Sequence, residues 1–408
     1  MRGPDMRSRD QLLLEIARSV TGHSLAGTDD LAVLAEVCAR VGAAGVPVSR
    51  FLIGYDTLHP LAGGRVYTWR RGEGIELDEF GREESGSTAP PWVNSPFHYL
   101  MVRGEACVRY RLKELAEFPF PRLAELAAIG LTDYLACMER LGAAVKLGEL
   151  DCVFSSWGTD AADGFAEEDV ALLAALAPYL AASLVAKAVR QITRTVVSTY
   201  LGDDAGERVL RGAIARGVAD RIRAVVWFSD LKGFTSMVDS VDPGLVLPLL
   251  NEYCEPQVTA IAEHGGTVLK FIGDGLLAIF PVGASAADAG KRALAAAEAA
   301  FAELAEVSAR RADAGLPVTE AYLALHLGEV FYGNIGGADR LDFTVIGPAV
   351  NEAARMSAMC RPLGQDILIS QALADAVPGL HARLVPLGSH RLRGVAQAQA
   401  LHGVRRVR

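Results

Sequence analysis

The chain has 408 residues, 51% of them hydrophobic and 22% charged, with a formal net charge of −9. Such a length predicts two or three domains with more than one core. An acidic balance without a dense basic patch argues against DNA or RNA as a main partner, so no nucleic acid is expected. The short basic end (Arg405, Arg406, Arg408) reads as a solvated tail. The six cysteines (Cys38, Cys107, Cys137, Cys152, Cys254 and Cys360) make no C-x-x-C pair and no zinc spacing. They are expected as reduced thiols in a reducing compartment. Asp10 and Glu15 interrupt the N-terminal apolar stretch, so no secretory leader is predicted.

In chain order, Leu12, Leu13, Ile16 and Val20 recur at helical spacing and predict a helical segment over 1–40. Residues 41–186 mix strands and helices. Arg50–Tyr55, Arg65–Trp69, Ala106–Tyr110 and Cys152–Trp157 are rich in β-branched and aromatic residues and predict strands. Arg122–Ala128 and Asp133–Leu141 predict helices. The acidic run Glu167-Glu168-Asp169 suits the first turn of a long helix reaching about Tyr200, with Pro178 as a kink or break. Its uncharged stretch Val170–Ala186 is shorter than the ~20 apolar residues of a membrane span, so it predicts a packed helix, no membrane span and a cytoplasmic protein. Connecting helices are expected over 187–222, with a polar break at Gly202-Asp203-Asp204 and a helix near Glu207–Arg216.

A further domain is predicted over 223–408. Ala224–Phe228 is a strand, followed by a helix from Thr235 and another over Pro243–Glu263, with Asp242 as N-cap. Val268–Ile272 and Leu276–Phe280 flank Gly273-Asp274-Gly275 and predict a hairpin. An alanine-rich helix spans Ala286–Ala312 behind the cap Ser285. Strands at Ala321–Val330 and Leu341–Ile346 and a helix at Ala349–Met359 complete an α+β pattern.

Three short stretches carry chemistry. Asp230 ends a buried strand, and Asp274 sits at a hairpin tip where glycines allow close approach. Two aspartates at neighbouring strand ends can bind hard cations, which hold a triphosphate and lower the pKa of an attacking hydroxyl. Asn351 and Arg355, four apart on a helix, share a face and can position a ribose and stabilise phosphoryl charge. Singly, these read as a cap, a hairpin turn and polar side chains decorating a helix surface. In this order, together, they do not.

Residues 223–405 resemble the catalytic domain of class III nucleotidyl cyclases, most closely from Leu325 (LHLGEVFYGNIGG) through Met356, and look like the bacterial adenylyl cyclases of that class. The resemblance implies a ferredoxin-like, palm-type catalytic fold. It also implies two Mg2+ or Mn2+ ions per site, held by Asp230, Asp274 and the carbonyl of Leu231. Lys270 and Thr344 match the purine-selecting pair, where guanylyl cyclases carry Glu and Cys. Asn351 and Arg355 match the transition-state pair. Arg393 falls where the family often has a phosphate-binding Lys, a departure. The family's catalytic domains pair head to tail, so a single domain carrying both half-sites implies a homodimer acting on ATP. His264 and His326 are expected to be structural. In the first half, Val153-Phe154-Ser155-Ser156-Trp157, followed by Gly164-Phe165 and an acidic helix start, resembles the end of a GAF-type sensor. That implies an α/β domain with a pocket for a small ligand; a plain dimerisation domain fits equally. Trp69, Tyr110 and Trp157 could line such a pocket, though aromatics on strands usually pack the core. Rival readings are a guanylyl cyclase and a cyclase-like module without activity. A diguanylate cyclase would need a Gly-Gly-Asp/Glu-Glu-Phe turn, where this chain has Ile272-Gly273-Asp274-Gly275-Leu276.

Overall fold

A computed structural model of the protein describes residues 8–58, 62–81, 90–148, 150–215, 217, 219–337 and 339–404. Arg216 and the basic end at 405–408 lie outside these. The chain divides into two units, Met1–Val196 and Val197–Arg408.

The first unit opens with two helices, α1 (Arg9–Ala26) and α2 (Asp30–Ala43). Gly27 ends α1 in the left-handed conformation, so the predicted helical segment is broken in two. Strands β1 (Arg50–Asp56), β2 (Ala62–Arg70) and β3 (Gly74–Gly81) follow, then α3 (Pro90–Val93), α4 (Pro96–Arg103), β4 (Cys107–Arg111), α5 (Pro121–Ala128), β5 (Asp133–Arg140), β6 (Cys152–Thr159) and α6 (Glu167–Leu201). The six strands form one antiparallel sheet in the order β3-β2-β1-β6-β5-β4. One face carries Phe51, Ile53, Leu135 and Trp157 against α1, α2 and α6. The other carries Tyr134, Ala136 and Met138 against Leu100 of α4 and Leu123 and Leu126 of α5.

Asp133–Leu141, predicted as a helix, is strand β5. It lies between β4 and β6, so its alternate side chains enter the two different cores. A strand buried on both faces reads as a continuous apolar run, which periodicity cannot separate from a buried helix. Pro178 neither breaks nor ends α6. The helix is long and apolar enough by length and composition to cross a membrane, and 56% of its most apolar window is buried inside the protein. The expectation of uniformly reduced thiols is also corrected. Cys107 and Cys137 face each other across β4 and β5 and are joined by a disulfide, while the remaining four cysteines are free.

The start of α6 is locked to the sheet by a buried carboxylate. Asp133, 1% exposed, accepts from Arg109 (Nη2 to Oδ2, 2.6 Å) and from the backbone N–H groups of Tyr134 and Phe165. Arg109 also reaches Glu167 in the first turn of α6. Gly164 is needed here: its φ is +73°, and a Cβ would meet Asp133 Oδ2 at 2.6 Å. Asp133→Ala strands Arg109 and two N–H groups, so we expect a loss of about 3–5 kcal/mol, read from urea unfolding.

The second unit contains α7 (Asp203–Leu210), β7 (Ala219–Leu231), α8 (Phe234–Val238), α9 (Pro243–Glu263), β8 (Thr267–Ile272), β9 (Gly275–Pro281), α10 (Ala286–Asp313), β10 (Ala321–Gly336), β11 (Leu341–Ile346), α11 (Pro348–Met359), β12 (Ile367–Ser370), α12 (Gln371–Ala376), β13 (Leu384–His390) and β14 (Gln399–Val404). The break before α7 is Gly202 alone, at φ +80°. Asp203 and Asp204 begin the helix rather than interrupt it, because acidic residues suit a first turn. The eight-stranded sheet runs β13-β14-β12-β10-β7-β9-β8, with β11 paired to β10. α9, α10 and α12 pack around one core and α11 around another, which places the ends of β7 and the β8–β9 turn for chemistry. This is the mixed helix-and-strand, palm-type architecture expected for the C-terminal half.

Candidate active site

Asp230 lies at the C-terminal end of β7, whose preceding residues Ala224–Trp227 are fully buried. A hydrogen-bond chain pins that end. Trp227 Nε1 donates to Ser229 Oγ at 3.2 Å, and Ser229 Oγ donates to Gln257 Oε1 on α9 at 2.6 Å. Ser229 is 1% exposed, and it pairs with Leu276 on β9. Asp230 therefore falls beside Gly275 and the β8–β9 turn that carries Asp274. Gly275 makes this close approach possible, since a Cβ would stand 2.8 Å from Ser229 O and 3.6 Å from Asp230 Oδ1.

The two carboxylates are neighbours. Asp230 is pushed up to about 6, first by loss of hydration and then by the Asp274 carboxylate beside it; the Leu231 N–H opposes this. Among the described residues no ion pair reaches either carboxylate. The nearest lysine in sequence, Lys232, is held by Glu320 and, at 2.6 Å, by Asp366. Among the described residues no group of three or more metal-ligating side chains occurs. Two unneutralised carboxylates fit Mg2+ or a similar hard cation, which keeps several waters and takes one or two carboxylates plus substrate phosphates. Leu231 has its side chain buried against α9 and α10, leaving only its backbone for any ligand role.

Lys270 on β8 pairs with Asp342, the second residue of β11. Two residues further along that strand is Thr344, which pairs with Gly333 of β10 and is 3% exposed. Its Oγ1 is buried without a hydrogen-bond partner. Buried hydroxyls are normally satisfied, so this one is an exception. The structure thus ties Lys270 on β8 to the strand that carries Thr344, β11, through a residue, Asp342, to which sequence reasoning gave no role.

α11 is seated on the sheet by Ala349, Ala353 and Met356, which leaves Asn351 and Arg355 exposed on its outer face. Its seating also uses His326, buried on β10, whose Nε2 lies 3.1 Å from Glu352. Burial lowers His326 to about 4 and raises Glu352, so the imidazole is neutral near pH 7 and its Nε2–H donates to the carboxylate. Sequence reading placed His326 on an apolar strand but did not see its partner, one residue from Asn351. His264 caps α9, with Nδ1 on Ala260 O. Arg393 is exposed in the loop between β13 and β14. Among the described residues no hydrogen bond or ion pair joins Asp230 or Asp274 to Lys270, Thr344, Asn351, Arg355 or Arg393.

Residues 219–402 match the family model of the adenylate and guanylate cyclase catalytic domain, and this part of the chain belongs to that family. The similar curated proteins include an adenylate cyclase of Anabaena cylindrica, 34% identical over 158 residues, or 38% of this chain and 31% of that one. Adenylate cyclase 1 of Rhizobium meliloti is 26% identical over 184 residues, or 45% of this chain and 28% of that one. The chain thus spans about a third or less of the length of these relatives. Among solved structures, a bacterial light-regulated adenylyl cyclase is similar at TM-score 0.48 and 24% identity, covering 56% of this chain and 64% of that one. A guanylyl cyclase is similar at TM-score 0.41 and 31% identity, covering 46% of this chain and 93% of that one.

Proposed function

We propose that this chain is an adenylyl cyclase, converting ATP to 3′,5′-cyclic AMP and pyrophosphate at sites shared across a homodimer. Asp230 and Asp274, with the Leu231 carbonyl, would hold two Mg2+ or Mn2+ ions per site. Once bound, such ions supply charge neutralisation on the triphosphate and a lower pKa at the ribose 3′-hydroxyl. The chain's own groups do the rest. Lys270, fixed by Asp342, donates to adenine N1, which is an acceptor; guanine N1 carries a proton and is refused. Thr344 Oγ1 accepts from the adenine 6-amino group. Asn351 holds the ribose, so its 3′-oxygen faces the α-phosphorus in line with the bond to pyrophosphate. Arg355 lies against the charge that grows on the phosphoryl oxygens, and Arg393 against the leaving phosphates. The partner subunit supplies the second half of each site. The N-terminal unit is the regulatory half, a GAF-like sensor in intracellular signalling.

The observation that carries the ATP reading is Thr344, a buried, unpartnered hydroxyl beside the strand residue that grips Lys270. Lys270→Glu combined with Thr344→Cys should lower the ratio of kcat/KM for ATP over GTP by at least about 10²-fold, read from product analysis with each nucleotide. An unchanged ratio in a folded, active variant means these two positions do not read the base.

A further inference from the structure

The sheet of the N-terminal unit buries a charge for which the described residues provide no partner. Arg50, the first residue of β1, is 5% exposed. Among the described residues it makes no hydrogen bond, no ion pair and no stacking contact with an aromatic face. The strand register shows what surrounds it. Arg50 pairs with Gly158 of β6, and Gly158 pairs with Tyr134 of β5, so Arg50 and Tyr134 share one face of the sheet. In the next row of the same face stand Thr68, Leu52 and Ser156. Thr68, Tyr134 and Ser156 are 5%, 2% and 1% exposed. The Ser156 Oγ is buried and makes no well-formed hydrogen bond; the Tyr134 hydroxyl faces it. Leu131 covers Gly158, and Leu123, Trp92 and Phe97 line the same face, so the surroundings are apolar.

An isolated buried cation is costly, and buried charges in folded proteins are paired. Arginine cannot escape by losing its proton. Burial lowers Arg50 to about 10, still charged at neutral pH. Two further cations, Arg122 and Arg70, act against its charge. Those two have partners of their own, Glu125 at 2.5 Å and Glu76 at 3.1 Å. Arg50 is left with a positive field, a planar fork of donors, and hydroxyls with spare capacity beside it.

We propose that Arg50, with Ser156 and Tyr134, forms an oxyanion site inside the N-terminal unit, seating the carboxylate or phosphate of a small ligand. The guanidinium takes the anion by two parallel N–H bonds, and the hydroxyls of Ser156 and Tyr134 take its remaining lone pairs. The aromatic and aliphatic side chains over the same face favour an apolar body attached to the anion. The site is independent of the cyclase reading, since none of its residues belongs to the catalytic unit.

The test is thermal unfolding of the full chain in acetate, succinate or inorganic phosphate, each against chloride at equal ionic strength. At about ten times its Kd, one or more of these oxyanions should raise the Tm by roughly 3–5 °C. Acetate or succinate alone identifies a carboxylate, phosphate alone a phosphoryl group. The shift should vanish in Arg50→Met and shrink in Ser156→Ala and Tyr134→Phe, which remove single hydroxyls and keep the fold testable should Arg50→Met fail to fold. Oxyanions that do no more than chloride, or a shift unchanged in the Arg50 and Ser156 variants, overturn the proposal. Because the readout is the difference between wild type and N-terminal variants, anion binding elsewhere in the chain does not mimic it.

Discussion

Asp274→Ala should leave the protein folded and nearly devoid of cyclase activity. The side chain sits on a two-residue turn and fills no core, so its removal opens no cavity and should cost little stability. It even removes the carboxylate that crowds Asp230. The effect falls on catalysis. Outer-shell partners of a metal site are worth 10–100-fold, so loss of one of two carboxylates that hold the ions should lower kcat by more than about 10²-fold. Activity assays with Mg2+ and Mn2+, beside urea unfolding of the same preparations, separate the two effects. Near-normal turnover in a folded Asp274→Ala protein would remove the carboxylate pair from the mechanism.

Mixing two inactive chains should restore activity. Asp230→Ala keeps Asn351 and Arg355, and Arg355→Ala keeps both carboxylates. In a mixed dimer one site receives both defects and the other receives none. If the chains assort at random, half of the dimers are mixed and each has one working site, so about one quarter of wild-type activity is expected. The exposure of Asn351 and Arg355, which have no ion pair or side-chain hydrogen bond among the described residues, motivates this. Proven mixed dimers without activity would place the whole site inside single chains.

The C-terminal fold was legible because its signals are local: a Gly-Asp-Gly hairpin between two apolar runs and the caps Asp242 and Ser285, each of which recurs in the structure at those residues. The elements that escaped depend on distant partners. β5 looked helical because its two apolar faces meet cores that other parts of the chain create. β3 escaped because it is a largely exposed edge strand, with little apolar alternation to read. The Cys107–Cys137 pair is 30 residues apart in sequence and becomes adjacent only through the β4–β5 register. Of the candidate site, Asp230 and Asp274 announce themselves as strand-end and turn residues. The supports do not: Gln257 beneath Ser229, Asp342 against Lys270 and Glu352 against His326 are fixed by tertiary contact. Arg50 is the extreme case, an ordinary strand residue in sequence whose burial without a partner exists only in the folded sheet.

The most direct measurement is product formation by the purified chain given ATP and GTP together at equal concentration with a divalent cation. The account predicts cyclic AMP and pyrophosphate in equal amounts, little cyclic GMP, and complete loss of both products on chelation of the metal. Cyclic GMP as the main product, or cyclic AMP formed undiminished after chelation, would contradict it.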